Sequence, residues 1–298
     1  MHNYIGRFAP TPTGLLHFGS LLTALASYLD ARHQHGKWLV RIEDLDPPRE
    51  VAGATTEILR TLECYGLHWD DEVWYQSNRH SIYQSYIDQF LANQQAFYCA
   101  CSRKQLPPEL KGVYPGTCRG TFAPGNTATA VRLQVRDEAF GFTDLLQDQF
   151  NQNLQQDVGD FVIRRKDGLY AYHLAVVVDD HEQHISNIVR GMDLLDSTPR
   201  HLYLQNLLNF ETPSYAHLPL IVNEFGQKIS KQTFAKPIPN EKPTEFLWAA
   251  LQALGQSPEK QLRNETPEQL LTWAVAHWDL NKIPRCQSIA EKTLALAL

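Results

Sequence analysis

The sequence predicts an α/β fold: a parallel sheet with helices on its faces, an insert of different character, and a short helical C-terminal region. Three observations carry that prediction. Short apolar or aromatic runs alternate with helical periods through the first hundred residues, which is the pattern of β–α–β units. Residues 98 to about 160 break the pattern with prolines, glycines and three clustered cysteines. Beyond residue 240 only short helical periods remain.

Tyr4 to Phe8 reads as a buried strand. Pro10 and Pro12 bar both helix and ladder, and Gly14 and Gly19 allow a ligand close to the backbone. From Phe18 a helical period runs through Leu21, Leu22, Leu25 and Tyr28 (or Leu29) to Arg32. A helix opening straight after a parallel strand points free N–H groups at its ligand, usually phosphate, and His17 stands at that mouth. Trp38 to Ile42 reads as a second strand, ending in Glu43, Asp44 and Asp46. Ligands of open α/β sheets sit beyond such carboxyl ends.

Ala52 to Leu67 and His80 to Phe97 carry helical periods, with Tyr83, Tyr86, Ile87, Phe90 and Leu91 on one face as core. Val131 to Val135 and Phe161 to Arg165 read as strands, and polar Asn151 to Gln156 as a loop. Leu169 to Val178 reads as a strand ending in Asp179-Asp180-His181, and Ile185 to Arg190 as another. Ser197-Thr198-Pro199 caps a helix through Phe210. The apolar run Leu218 to Val222 leads into a glycine turn bearing Lys228 and Lys231, point charges suited to phosphate. Phe246 to Leu254, Pro267 to His277 and Ile289 to Leu298 read as three short helices.

Cys99, Cys101 and Cys118 suit a structural metal knuckle better than a redox pair, which would be Cys-x-x-Cys. Zinc wants four ligands, and no histidine lies between His80 and His173. Tyr114, Glu109 or water are the candidates for the fourth place. The remaining cysteines, Cys64 and Cys286, read as buried small hydrophobes.

Two stretches together resemble the signatures of class I aminoacyl-tRNA synthetases. His17-Phe18-Gly19-Ser20 is similar to the His-Ile-Gly-His element, and Lys228-Ile229-Ser230-Lys231-Gln232 to the Lys-Met-Ser-Lys-Ser element. The surrounding Arg7-Phe8-Ala9-Pro10-Thr11-Pro12-Thr13-Gly14 and Arg41-Ile42-Glu43-Asp44-Leu45-Asp46 resemble the glutamyl branch more closely. Ser20 and Gln232 depart from the general elements, while both lysines are intact.

The resemblance implies a Rossmann-type catalytic core with a zinc-bearing, acceptor-type insert. It assigns glutamate binding to Arg7, Phe8, Ala9, Pro10, Thr11, Glu43, Tyr172 and Arg190, with Glu43 on the α-ammonium and Tyr172 and Arg190 on the side chain. It assigns ATP to His17, Gly19, Ser20 and Lys231, and catalysis to His17, Lys228 and Lys231. One structural Zn²⁺ per chain would sit on Cys99, Cys101, Cys118 and Tyr114, since a tyrosine stands at this place in one glutamyl group. Mg²⁺ would accompany ATP. The implied division is 1–97 and 161–240 for the two halves of the core, 98–160 for the insert and 241–298 for the helical end.

Full-length glutamyl enzymes continue into a large anticodon-binding domain, for which these 298 residues leave no room. The short glutamyl-queuosine group is the one expected on that ground. It forms glutamyl-adenylate without tRNA and passes glutamate to the queuosine base of tRNA(Asp). The alternatives are a short synthetase charging a tRNA 3′ end and a non-catalytic nucleotide-binding relative.

Composition sets outer bounds. Hydrophobic content of 43% and charged content of 20% are those of a soluble globular chain, and no run approaches the roughly 18 apolar residues of a membrane span. Met1-His2-Asn3 leads directly into the first strand, so no secretory signal is expected, and the expected compartment is the cytoplasm. Five cysteines there suggest no disulfide framework. A net charge of −6 argues against non-specific nucleic-acid binding and leaves room only for a local basic patch. The chain is expected to be a monomer.

Overall fold

The structure is a computed structural model and describes residues 4–102, 105, 110, 112–120, 128–229 and 236–294. Strands β1 (Ile5–Phe8), β2 (Lys37–Ile42) and β3 (Trp74–Tyr75) form a parallel ladder in that order. Strands β9 (Asn187–Gly191) and β10 (Ser214–Leu218) form a second parallel pair. The Ser186 amide donates to the Ile5 carbonyl at 3.0 Å, which sets β9 beside β1. The central layer therefore runs β3-β2-β1-β9-β10 and reverses direction of growth beside β1, the place where open α/β sheets hold their ligands.

Helix α1 (Phe18–His33) follows β1, as the periodicity predicts. Its Phe18, Leu21, Leu22, Leu25 and Leu29 share one buried cluster with Trp38, Val40 and Ile42 of β2. Helix α2 (Ala54–Cys64) adds Ile58 and Leu62 to it. The expected C-terminal helices appear as α7 (Pro243–Ala253) and α8 (Pro267–His277). They share the same cluster through Leu247, Leu251, Leu270 and Leu271, and Trp278 Nε1 donates to Asp30 of α1 at 3.0 Å.

Helix α3 (His80–Ala92) ends earlier than predicted, because Gln94 turns left-handed at φ 56° and Ala96 opens strand β4 (Ala96–Cys99). Strand β4 pairs antiparallel with β5 (Ala130–Leu133), and β5 with β8 (Phe161–Arg164). Between them lies an unpredicted hairpin of β6 (Ala139–Asp144) and β7 (Asp148–Asn153). The polar stretch read as a loop is thus the end of β7 followed by α4 (Leu154–Asp157), capped by the Asn153 side chain.

Three further readings need correction. The stretch Leu169 to Val178 is not a strand: Tyr172–Glu182 form helix α5. Leu174 to Val178 are all buried, and a helix buried all round shows the same unbroken apolar run as a central strand. The third C-terminal helix is absent among the described residues. Strand β12 (Ser288–Ala290) instead completes a parallel pair with β11 (Leu220–Val222), Glu291–Thr293 make a 3₁₀ turn, and residues 295–298 lie outside the described residues. Cys64 and Cys286 are half-buried rather than buried.

Helix α6 (Thr198–Leu208) begins with the predicted proline in its first turn. Both α5 and α6 join α3 and the β4-β5-β8 sheet in a second buried cluster that includes Tyr83, Ile87, Val131, Leu133, Leu174, Val178 and Leu204.

The two clusters are joined by buried charge. Arg41 of β2 has no exposed surface. It faces Asp180 at 2.8 Å, Glu43 at 3.6 Å and Asp179 at 3.8 Å, and donates to Gln183 at 2.7 Å. Asp179 also accepts from Gln76, Arg79 and Tyr83. Removing one partner from such a group leaves the others buried and uncompensated, at a cost of about 3–5 kcal/mol. Arg41→Met should therefore lower unfolding free energy by that order in urea titration, although it keeps side-chain volume; a loss under about 1 kcal/mol would mean that the acids are solvated after all.

Candidate active site

A cleft of about 530 Å³ opens at the carboxyl ends of β1, β2, β9 and β10. Its walls contain Arg7 to Thr11, His17, Gly19, Ser20, Glu43, Tyr172, Arg190 and Lys228, so the structure brings the predicted residues to one place. Lys231 lies outside the described residues, as do Ser230 and Gln232.

The mouth of α1 forms one side. His17 is its N-cap, and Nδ1 accepts from the Ser20 amide at 3.2 Å. That contact leaves the proton of a neutral ring on Nε2, as a donor. Gly19 leaves the His17 ring room, since a Cβ there would lie 3.2 Å from two of its atoms and push the ring by a few tenths of an ångström. The loop before the helix is tied down by main-chain bonds: Glu43 N donates to Pro10 O and Val51 N to Pro12 O, both at 3.0 Å. Opposite, the Asn223 side chain accepts from the Phe225 and Gln227 amides and shapes the turn that delivers Lys228. Lys228 Nζ donates to Asp193 at 2.6 Å.

At the floor, Arg7 holds Asp180 with two contacts of 3.1 and 3.3 Å. Burial works against ionisation of Asp180, but Arg7 and Arg41 overcome it and keep its carboxyl below the usual range. Glu43 behaves oppositely. Burial pushes it up to about 7 against the pull of Arg41 and Arg7, and its Oε1 has no hydrogen-bond partner.

Arg190 is 3% exposed, and no described carboxylate forms an ion pair with it. Its N–H groups go to neutral acceptors: Nε to His217 at 3.0 Å, and the terminal nitrogens to Thr198 (2.8 Å), His201 (3.3 Å), Leu194 O (3.4 Å) and the Tyr172 hydroxyl (3.5 Å). Burial holds His173, His201 and His217 below the ordinary histidine range, and burial raises Tyr172 to about 12, so all four are neutral at pH 7. A guanidinium surrounded by neutral groups favours an incoming anion, and a buried carboxylate whose Oε1 meets Arg41 only at 3.6 Å and accepts no hydrogen bond favours an incoming cation. A ligand carrying both charges fits between Arg190 and Glu43, with phosphates at the helix mouth.

The three sulfurs of Cys99, Cys101 and Cys118 all lie within 4.8 Å of one another. Cys101 and Cys118 sulfurs are 3.5 Å apart, and the Tyr114 hydroxyl stands 3.4 Å from Cys99 and 3.7 Å from Cys101. Tetrahedral zinc with bonds of about 2.3 Å spaces thiolates by about 3.8 Å, so the set fits a metal. Tyr114 is held there by Gly159, where a Cβ would come within 2.4 Å of the Tyr114 main chain. Burial opposes ionisation of Cys118, but its hydrogen bonds, led by Tyr114, bring the thiol down to about 7. Glu109 lies outside the described residues.

Sequence reasoning assigned no role to Arg41, Asp193, Thr198, His201 or His217. Arg41 carried a signal as a charge inside the second strand, and Asp193, Thr198 and His201 lie in the stretch from Arg190 to His201 that resembles the glutamyl branch; His217 carried none.

Glu43 supplies a pH test. A carboxyl raised in the folded state contributes stability at low pH and loses it as pH rises through about 7. From pH 6 to pH 8 the protein should lose about 1 kcal/mol relative to Glu43→Gln. Parallel pH profiles of the two in thermal unfolding would refute the raised carboxyl.

Among known families, residues 5–115 and 116–275 match the catalytic domain of class I tRNA synthetases for E and Q. The chain is 53% identical over 291 residues to a Glutamyl-Q tRNA(Asp) synthetase of Ectopseudomonas mendocina, covering 98% of each chain. It is 52% identical to the Pseudomonas aeruginosa protein of that name, covering 98% of this chain and 99% of that one. In structure it is similar to a glutamate tRNA ligase from Elizabethkingia meningosepticum, crystallised with its amino acid. That likeness has a TM-score of 0.80 at 27% identity, over 96% of this chain and 67% of that chain.

Proposed function

The chain belongs to the class I tRNA synthetase family of the glutamate and glutamine enzymes and is a ligase of the aminoacyl-tRNA synthetase type, and from that membership we propose that it activates glutamate with ATP, without tRNA, and transfers it to the queuosine base of tRNA(Asp). The observation that carries the glutamate reading is Arg190, a buried cation on the cleft wall with only neutral acceptors around it. The side-chain carboxylate of glutamate supplies the anion. Glu43 takes the α-ammonium, whose charge draws the proton off a carboxyl that burial has raised. Tyr172 borders the side chain, Arg7 the α-carboxylate, and Phe8 to Thr11 the backbone wall.

The α-carboxylate attacks the α-phosphorus of ATP and pyrophosphate leaves. The protein's part is positioning and charge stabilisation. His17 Nε2 and the α1 mouth at Gly19 and Ser20 serve the phosphates. Lys228 and Lys231 close on the leaving pyrophosphate, Lys228 exchanging Asp193 for it. Mg²⁺ would accompany ATP. Cys99, Cys101, Cys118 and Tyr114 are the residues we assign to a Zn²⁺, which would supply a structural cross-link between them; bound metal would also convert the Tyr114 phenol to a ligand phenolate. The working division stays at 1–97, 98–160, 161–240 and 241–298, in a monomeric cytoplasmic protein.

The queuosine part rests on the names of relatives about half identical over nearly their whole length. Transfer of labelled glutamate, with ATP, to tRNA(Asp) prepared with and without queuosine tests it. Label should enter only the queuosine-bearing sample. Equal labelling of both, or labelling of tRNA(Glu) instead, would assign the chain to ordinary 3′-end charging.

A further inference from the structure

Arg190 and His217 are direct neighbours across the β9–β10 ladder, so their side chains stand side by side on one face. Arginine has donors only, so the His217 nitrogen facing Arg190 Nε, Nε2 at 3.0 Å, must accept. The proton of neutral His217 then lies on Nδ1, which meets Asp144 Oδ2 at 2.6 Å. Asp144 and His217 side chains are both fully buried. The other Asp144 oxygen accepts the amides of Leu146, Gln147 and His217 itself. Gln147 closes the clamp by donating to the His217 carbonyl at 2.9 Å.

The same logic runs the other way from Arg190. His201 Nδ1 faces an arginine terminal nitrogen at 3.3 Å, which leaves His201 Nε2 to donate to His173 Nδ1 at 3.2 Å. The hydrogen-bonded line is therefore Asp144, His217, Arg190, His201, His173, with every proton position set by the arginine. Asp144 is the one carboxylate in it.

We propose that Asp144, acting through His217, is a positioning residue for the anion site at Arg190. It holds His217 in the tautomer that accepts from Arg190 Nε. It also places the counter-charge of Arg190 a full imidazole ring away. The guanidinium is thereby oriented and charge-compensated with no carboxylate against it, and a ligand carboxylate can take the place of one of its longer neutral contacts, such as the Tyr172 hydroxyl at 3.5 Å. This inference rests on the glutamate reading above, because Asp144 acts only through the residue that reading assigns to the substrate side chain.

Asp144→Asn separates this role from a structural one. The asparagine carbonyl can keep the three main-chain contacts, while its NH₂ meets His217 Nδ1 and drives the ring proton to Nε2, against Arg190 Nε–H. Two readouts are compared. The first is the ¹⁵N shift pattern of the His217 ring: protonated Nδ1 in the wild type, protonated Nε2 in Asp144→Asn. The second is ATP–pyrophosphate exchange. KM for glutamate should rise about ten- to a hundredfold, KM for ATP should stay within about twofold, and preference for glutamate over glutamine should shrink. A tautomer switch with unchanged glutamate KM and selectivity would overturn the proposal. So would Nε2 protonation in the wild type, a measurement that holds even if the variant fails to fold. Exchange supported by no glutamate in the wild type would instead remove the glutamate reading, leaving the tautomer result to stand by itself.

Discussion

Everything at the cleft depends on burying Arg41 without exposing it. Its side chain lies under the carboxyl ends of the strands and meets two adjacent acids of α5 and the Glu43 carboxylate of its own strand's end. Removing that charge from water is costly, so the acids cannot move independently of it. Arg7 shares Asp180 with Arg41, and Asp179 is held from the α3 side by Gln76, Arg79 and Tyr83. One guanidinium thus fixes β1, β2, α3 and α5 relative to one another. Glu43 Oε1, like Arg41 Nε and Nη2, makes no hydrogen bond, and of these two residues Glu43 lines the cleft.

The two halves of the site treat charge in opposite ways. Around Arg41, arginines and carboxylates face one another directly as ion pairs of 2.8 to 3.8 Å, although Arg41 Nε and Nη2 make no well-directed hydrogen bond. Around Arg190 the contacts are all neutral, and the carboxylate hydrogen-bonded into its line, Asp144, is reached only through His217. A paired arginine holds structure; one kept among neutral acceptors holds a place for an anion. The β6–β7 hairpin gains its meaning here. Its turn docks on β10 through Leu145 N to Tyr215 O at 2.9 Å and carries Asp144 into the interior.

Much of the frame was legible because its signals are local. The proline-stiffened loop, Gly19 and the α1 period all lie between Pro10 and Arg32, and their motif resemblance located the cleft. The lysine turn was equally legible, through the glycine and lysine spacing after an apolar run. Helix α5 was misread because Leu174 to Val178 bury every side, which erases the 3.6-residue period that would identify a helix. The β6–β7 hairpin was missed because Asp148 to Asn153 is polar, half-exposed and poor in strand formers. Asp144 and His217 are 73 positions apart, and neither carries a local signal for the other. Proton positions in such a line follow from an arginine in a different strand. The cysteine cluster was legible in spacing, but the placement of Tyr114 depends on a glycine, Gly159, from a distant turn.

The central claim is that a buried, carboxylate-free arginine selects an acidic amino acid before any tRNA arrives. ATP–pyrophosphate exchange by the purified protein without tRNA, with glutamate and glutamine offered separately, decides this. The account predicts exchange with glutamate and little with glutamine, since an amide brings no charge to Arg190. Equal exchange with the two, or none until tRNA is added, would contradict it.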